Sequence, residues 1–311
     1  MSNSYEGVIV LGVPRSGTTL LRRLMNAHPA FICPPETNLL SGASRFLEEA
    51  EFAGGLSVGV IPGLAFAGFE QGAVRNRLRE FLFSFWRDIR DKAGKSYWVE
   101  KTAVDVFHID AIEALCADNC RYVCIVRHPL DVICSIADLT AKMQSYLPEI
   151  YQYVQRHRSP IDAYAQAWAD GNARLARFVD EHPDWCIQIR YEDLVSTPAT
   201  KMAEVCAFLN ESTDCDALVA RAMSDRSAAG LGDWKTYKKT EISSDSVDRH
   251  GELGQWTIAR LSSVLNPMLD RFGYEKIGSA QSTDNDTERA QEFARLVASM
   301  KLSLGDQQPD E

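Results

Sequence analysis

Val8-Ile9-Val10-Leu11-Gly12-Val13-Pro14-Arg15-Ser16-Gly17-Thr18-Thr19 is the stretch that decides how this chain folds. Its first four residues are all apolar, as in a strand covered on both faces. Gly12 to Gly17 is a tight turn, and Leu20, Leu21, Leu24 and Met25 then follow with helical spacing. Strand, turn and helix N-terminus together make an anion cradle, because the first amides of a helix have no intrahelical partner. The turn comes close to the nucleotide-binding pattern G-x-x-x-x-G-K-[ST]. Gly12 and Gly17 have the right spacing, but Thr18 stands where lysine belongs, and the positive side chain sits inside the turn as Arg15. Such a cradle implies a phosphorylated ligand other than ordinary ATP.

The alternation continues along the chain. Phe31-Ile32-Cys33 is a short apolar run closed by Pro34-Pro35; Tyr97–Val99, Arg121–Val126 and Cys186–Ile189 read as strands. Helical patterns occupy about 73–92, 106–117, 130–143, 160–181, 198–209 and 255–271. Strands alternating with helices predict an α/β fold: a P-loop-like, three-layer α/β/α arrangement with a central, mainly parallel sheet. Ligands bind such sheets at the carboxyl ends of the strands, and those ends carry Arg15, Lys101, Arg127 and Tyr191. The segment 39–72, rich in Gly, Ala, Leu and Phe, reads either as a partly buried connection or as an apolar lid over an acceptor site. One domain is expected over 1–277, followed over 278–311 by a polar linker (278–286) and a short C-terminal helix (287–302) or tail.

Composition narrows the function. The chain has 311 residues and a formal net charge of -10, which disfavours a general nucleic-acid binder, because phosphate contacts need concentrated positive charge. No stretch is apolar enough to span a membrane. The opening residues lack the basic and apolar regions of a secretion signal, and the eight cysteines include no close C-x-x-C pair, so a cytoplasmic protein with free thiols is expected.

Four signatures, in order, carry a resemblance. They are Pro14-Arg15-Ser16-Gly17-Thr18-Thr19; Arg127 with Ser135 two helical turns onward; Arg190-Tyr191-Glu192-Asp193-Leu194; and Phe272-Gly273-Tyr274. Together they resemble sulfotransferases that use 3'-phosphoadenosine 5'-phosphosulfate (PAPS). The resemblance implies that Arg15, Ser16, Gly17, Thr18 and Thr19 hold the 5'-phosphosulfate, and that Arg127 and Ser135 hold the 3'-phosphate with Tyr191 beside them. Physically, Arg15 offers a rigid fork of donors, and Gly17 lets the backbone approach the anion. The Arg-Lys-Gly clamp of cytosolic family members is missing in that form; Lys235, or Arg249 with Gly251, stands in for it. No metal is required.

Sulfuryl transfer needs in-line placement, charge stabilisation and a base for the acceptor hydroxyl. Arg15 and Lys101 are the candidates for charge stabilisation, Lys101 by resemblance to the branch that acts on protein tyrosines. For the base, Glu36 resembles the glutamate of that branch, and His250 is its rival. His108 reads as structural. The Cys33-Pro34-Pro35-Glu36 and Gly232-Asp233-Trp234-Lys235 segments also look like sulfotransferase domains of polyketide assembly lines. Those domains act on a hydroxyl of an acyl chain held by an acyl carrier protein. The acceptor thus stays open between a hydroxyl-bearing small molecule, a carrier-bound acyl chain and a peptide tyrosine. Arg75, Arg77, Arg79 and Arg87 could attract an acidic carrier, or be plain helix surface. A small-molecule P-loop kinase is the alternative enzyme, opposed by the missing loop lysine. An inactive nucleotide-binding scaffold is the non-enzyme alternative, opposed by the intact Arg15, Glu36, Lys101 and Arg127.

Overall fold

The computed structural model describes residues 5–52, 55–225 and 240–278. Lys235 and residues 279–311 lie outside them, as does the side chain of His250. The strands are β1 Gly7–Leu11, β2 Phe31–Ile32, β3 Glu49–Phe52, β4 Leu56–Gly59, β5 Tyr97–Glu100, β6 Cys120–Val126 and β7 Cys186–Arg190. The helices are α1 Thr18–Asn26, α2 Leu39–Leu47, α3 Val60–Phe66, α4 Gln71–Ala93, α5 Ile109–Cys116, α6 Pro129–Met143, α7 Pro148–Val154, α8 Pro160–Glu181, α9 Tyr191–Ser196, α10 Pro198–Phe208, α11 Cys215–Ser224 and α12 Gln255–Arg271.

Five strands form one parallel sheet in the order β2-β5-β1-β6-β7, with Val8 in register with Val99 on one side and Arg121 on the other. Every residue of β1 and β6 is buried, as expected of central strands with both faces covered. Their side chains divide by the period of two. Val8 and Val10 join Leu21 of α1, Met202 of α10 and Leu218 of α11 in one core. Ile9 and Leu11 join Trp86 of α4, Ile112 of α5, Trp168 of α8 and Leu265 of α12 in the other. Each such aliphatic side chain contributes roughly 1.5–3 kcal/mol of transfer free energy, so β1 anchors both halves of the molecule.

The chain leaves β1 toward one edge of the sheet, fills in β5, then crosses to build β6 and β7 on the other side. The two directions part at the carboxyl end of β1, where a crevice opens between the outgoing connections. Proline punctuates the returns: α6, α7, α8 and α10 each carry it in the first turn, where its missing N–H costs nothing. The segment 39–72 holds α2, the antiparallel pair β3–β4 and α3. Among the described residues no helix is long and apolar enough to cross a membrane.

Candidate active site

Each of the five parallel strands delivers one residue to the same rim. Arg15 follows β1, Glu36 follows β2, Lys101 directly follows β5, Arg127 directly follows β6, and Tyr191 directly follows β7. Four of them, Arg15, Glu36, Arg127 and Tyr191, line a cavity of about 640 Å³ together with Ser135. That volume lies within the range of small-molecule and cofactor sites.

The turn after β1 closes with the Ser16 amide donating to the Val13 carbonyl at 3.0 Å. Pro14 sits second in this turn and Arg15 third, at a φ of 76°. Glycine is the ordinary occupant of such a position, and holding another residue there costs on the order of 1–3 kcal/mol. The chain tolerates that strain to keep a guanidinium in the turn. Arg15 Nε donates to Ser135 Oγ at 3.0 Å. Gly17 caps α1 at a φ of 93° and has no side chain to cover the first amides of the helix. A Cβ at Gly17 would lie 2.3 Å from the Tyr191 ring, so the aromatic ring packs directly on the glycine. Thr18 and Thr19 line the cavity. Ser16 is fully buried, and its hydroxyl has no hydrogen-bond partner among the described residues.

Arg127 is the structural link between the two halves of the anion site. Its Nη1 donates to the Arg15 carbonyl at 2.7 Å and its Nη2 donates to the Ser246 carbonyl. The guanidinium lies 4.6 Å from the centre of the Tyr191 ring. Burial pushes the arginine's pKa down, and Arg15 adds to the effect, while Tyr191, Asp131 and Glu192 oppose it. Its Nε is buried with no partner among the described residues. An under-compensated, desolvated guanidinium of this kind favours an incoming phosphate. Arg15, Gly17, Thr18, Thr19, Arg127 and Ser135 thus line one cavity, and this set of donors fits a nucleotide with more than one phosphate.

Arg249 also lines the cavity, with its Nη2 held by Asp138 at 3.0 Å and Glu252 at 2.8 Å. Its amide and that of Asp248 donate to Asp131 at 2.7 and 3.2 Å. Asp131, in the first turn of α6, thereby fixes the loop that supplies Arg249. Gly251 is exposed and does not line the cavity. His250 belongs to the same short 3-10 turn, Arg249–Glu252.

On the other side of the cavity Glu36 forms an ion pair with Lys101. The lysine side chain is 0% exposed and is not part of the cavity lining; the glutamate is 10% exposed and is. Glu36 Oε2 has no hydrogen-bond partner among the described residues. Lys101 therefore reaches the cavity through Glu36. Arg22 of α1 pins the approach to this glutamate, its Nε donating to the Cys33 and Pro34 carbonyls at 3.1 and 2.9 Å.

Two residues, Arg22 and Asp131, build the site without having been singled out by sequence, and Glu192 was named only as part of its signature, with no role of its own. Glu192 accepts from the His128 amide at 2.9 Å and from the Tyr274 hydroxyl at 2.7 Å. The Arg190 guanidinium lies 4.0 Å from the Tyr274 ring centre. The Arg190–Leu194 and Phe272–Tyr274 signatures thus hold each other and brace the turn after β6. Asp131 carried a legible signal, an acid in the first turn of a helix; Arg22 carried none beyond a charge in an apolar face.

Apolar side chains in the cavity lining include Val104, Leu139, Met143 and Leu147, with Leu20, Met223 and Ile242. Among the described residues of 39–72, none lines the cavity. Of Arg75, Arg77, Arg79 and Arg87 on α4, Arg87 is committed to Glu6 and Glu80 at 2.7 and 2.9 Å, and Arg77 lies over Phe69 at 5.2 Å. His108 bonds Ser44 at 2.9 Å and Glu149 at 3.3 Å, away from the cavity.

These strand ends bring two arginines, a helix N-terminus and a carboxylate to one cavity, a set of groups that fits transfer of a charged group from a phosphorylated donor. A family model described as "Sulfotransferase family" matches residues 7–214. The chain belongs to this family and is a PAPS-dependent sulfotransferase. Protein-tyrosine sulfotransferase A of Caenorhabditis elegans is 23% identical over 286 residues, covering 86% of this chain and 67% of that protein. Protein-tyrosine sulfotransferase 1 of Danio rerio is 24% identical over 304 residues, covering 86% and 72%. Among solved structures, the sulfotransferase domain from the curacin biosynthetic pathway aligns with a TM-score of 0.61 at 22% identity, covering 88% of this chain and 99% of that one. The sulfotransferase domain of the Synechococcus PCC 7002 olefin synthase aligns at 0.62 and 22% identity, covering 88% and 97%. The chain shares the fold of both.

Proposed function

We propose that the protein transfers a sulfuryl group from PAPS to an aliphatic hydroxyl on a small molecule or acyl chain, with Glu36 as the base. PAPS supplies the sulfuryl group and leaves as 3',5'-adenosine bisphosphate. The acceptor oxygen bonds to sulfur, the bond from sulfur to the bridging phosphate oxygen breaks, and the acceptor's proton goes to Glu36 Oε2. Lys101 orients Glu36 before transfer through their ion pair, and Arg15 faces the charge that builds on the leaving phosphate. Arg127, Ser135 and Tyr191 hold the far end of the nucleotide, with Arg249 completing the clamp.

The observation that carries this reading is the cavity itself. Arg15, Arg127 and Glu36 line it together with the apolar side chains of Val104, Leu139, Met143 and Leu147, and Glu36 Oε2 is buried without a hydrogen-bond partner among the described residues. Apolar side chains in the same cavity as the base suit an aliphatic acceptor. The likeness to domains from the curacin pathway and an olefin synthase supports an acyl chain, and presentation by an acyl carrier protein is part of the proposal. A peptide tyrosine is the second acceptor, favoured by the relatives named for it.

The test is transfer from labelled PAPS to three acceptors: a β-hydroxyacyl thioester, the same acyl group on a carrier protein, and a tyrosine peptide. The reading expects the acyl acceptors to outpace the peptide and Glu36→Gln to abolish the chemical step in single turnover. Faster peptide sulfation overturns the acceptor class. Full activity of Glu36→Gln with loss in His250→Gln moves the base to the histidine.

A further inference from the structure

Glu100 is the last residue of β5 and is 0% exposed. A carboxylate there needs donors, since an unpaired buried charge is among the most costly groups in a protein. It has three. Thr37 Oγ1 donates to Oε2 at 2.6 Å, Trp86 Nε1 donates to Oε2 at 3.0 Å, and Thr102 Oγ1 donates to Oε1 at 2.8 Å. Thr37 is the neighbour of Glu36 in the chain, and Thr102 is the neighbour of Lys101. One carboxylate therefore grips the residue next to each member of the ion pair.

The grip is continued by the backbone. Thr102 Oγ1 accepts from the Asn38 amide at 3.2 Å, and Thr37 Oγ1 accepts from the Leu39 amide at 3.2 Å. Each threonine hydroxyl thus both donates and accepts, so its orientation is set. Glu36 and Lys101 come from segments 65 residues apart, and their meeting point is held by this bridge. Both Glu100 oxygens are bonded, the condition under which buried polar groups rigidify a site.

We propose that Glu100 is a positioning residue: through Thr37 and Thr102 it fixes Glu36 against Lys101, so that Glu36 Oε2 faces the acceptor. The inference rests on Glu36 being the base. Glu100 touches neither donor nor acceptor; it acts through the two threonines. Burial raises the pKa of Glu100, and the three donors oppose that rise, so the hydrogen bonds help keep the group an acceptor.

The test compares Thr37→Val, Thr37→Ser and Glu100→Gln with Glu36→Gln in the full chain, using PAPS and the β-hydroxyacyl thioester. Thr37→Val removes the donor at nearly constant volume, and Thr37→Ser restores it. The expected result is a fall in kcat of about 100-fold for Thr37→Val, the order seen when a reacting group is misplaced by about 1 Å. KM and the Kd for 3',5'-adenosine bisphosphate stay within about twofold, and Thr37→Ser recovers most of the loss. Glu100→Gln follows Thr37→Val wherever it folds. A crystal structure of Thr37→Val supplies a readout independent of the acceptor: Glu36 should leave Lys101 Nζ. Unchanged kcat in Thr37→Val, with Glu36→Gln inactive, overturns the role of Glu100 and leaves the base intact. A retained Glu36–Lys101 contact overturns it equally. Unchanged kcat in Glu36→Gln removes the base assignment, and this inference with it.

Discussion

Arg127 Nη1 donates to the main-chain carbonyl of Arg15 at 2.7 Å. The residue that ends β6 thus holds the turn that follows β1, and both guanidinium groups line the same cavity. Two like charges are kept side by side by spending one of them on the other's backbone. That arrangement is unfavourable for an empty site and favourable once a multiply charged anion binds between them.

Arg127→Lys should weaken binding of 3',5'-adenosine bisphosphate by at least about tenfold, because a lysine cannot bond the Arg15 carbonyl and a phosphate with a planar fork. Binding of 5'-AMP should fall less. Ser135→Ala should show the same preference more mildly. Calorimetric titration with the two nucleotides checks both, and equal losses for the two ligands would remove the 3'-phosphate assignment.

Arg15→Gly separates stability from function. The turn holds Arg15 at a φ of 76°, which glycine adopts without strain. The variant should melt no lower than Arg15→Ala while losing on the order of 100-fold or more in transfer, the scale of removing one oxyanion donor. Thermal melts and single-turnover transfer on both variants make the comparison.

Gly17→Ala should disrupt the site through Tyr191. The added Cβ would sit 2.3 Å from the ring, at a φ of 93°, so a backbone shift is unavoidable. A stability loss on the order of 1–3 kcal/mol is expected. Tyr191→Ala in the same chain should recover the steric part only, leaving the φ cost. A double-mutant cycle measured by denaturant unfolding reads the coupling between the two sites.

Asp105 should make stability fall as pH rises. It is 0% exposed, and neither carboxyl oxygen has a hydrogen-bond partner among the described residues. Burial, then the neighbouring Glu100 charge, pushes its pKa well above the ordinary 3.8. The fold therefore binds this proton more tightly than the unfolded chain does. The stabilisation is complete below about pH 4 and is lost as pH climbs through the raised pKa. Asp105→Asn should match the parent near pH 4 and melt higher at neutral pH. A difference in melting temperature that does not grow with pH would reject this account.

The parallel sheet and the place of four residues at its rim were legible because each stands immediately after an apolar strand or inside its turn. Arg15, Lys101, Arg127 and Tyr191 are placed by strand direction alone, and strand direction is a local pattern. Glu36 was legible only by resemblance, since it follows a strand of two residues, Phe31–Ile32. The short helices α7 and α11 gave weaker signs: Pro148 in the first turn of one, and Asp214 capping the other through the Ala217 amide at 3.0 Å. Neither has the length that makes a hydrophobic period stand out. The described residues of segment 39–72, read as either a connection or an apolar lid, are not in the cavity lining; Val104 and the α6 residues Leu139 and Met143 are. Its composition is apolar, but composition carries no direction.

By itself the sequence determined which groups stand at the strand ends, because a covered parallel strand and a glycine-bounded turn are written in consecutive residues. Tertiary structure alone decided which of those groups meet. The pairing of Glu36 with Lys101, the grip of Glu100 on their neighbours, and the hold of Glu192 on both His128 and Tyr274 join residues far apart in the chain. Their contact depends on the order of strands in the sheet, and strand order is set by how the helices pack on two faces, which no local pattern records.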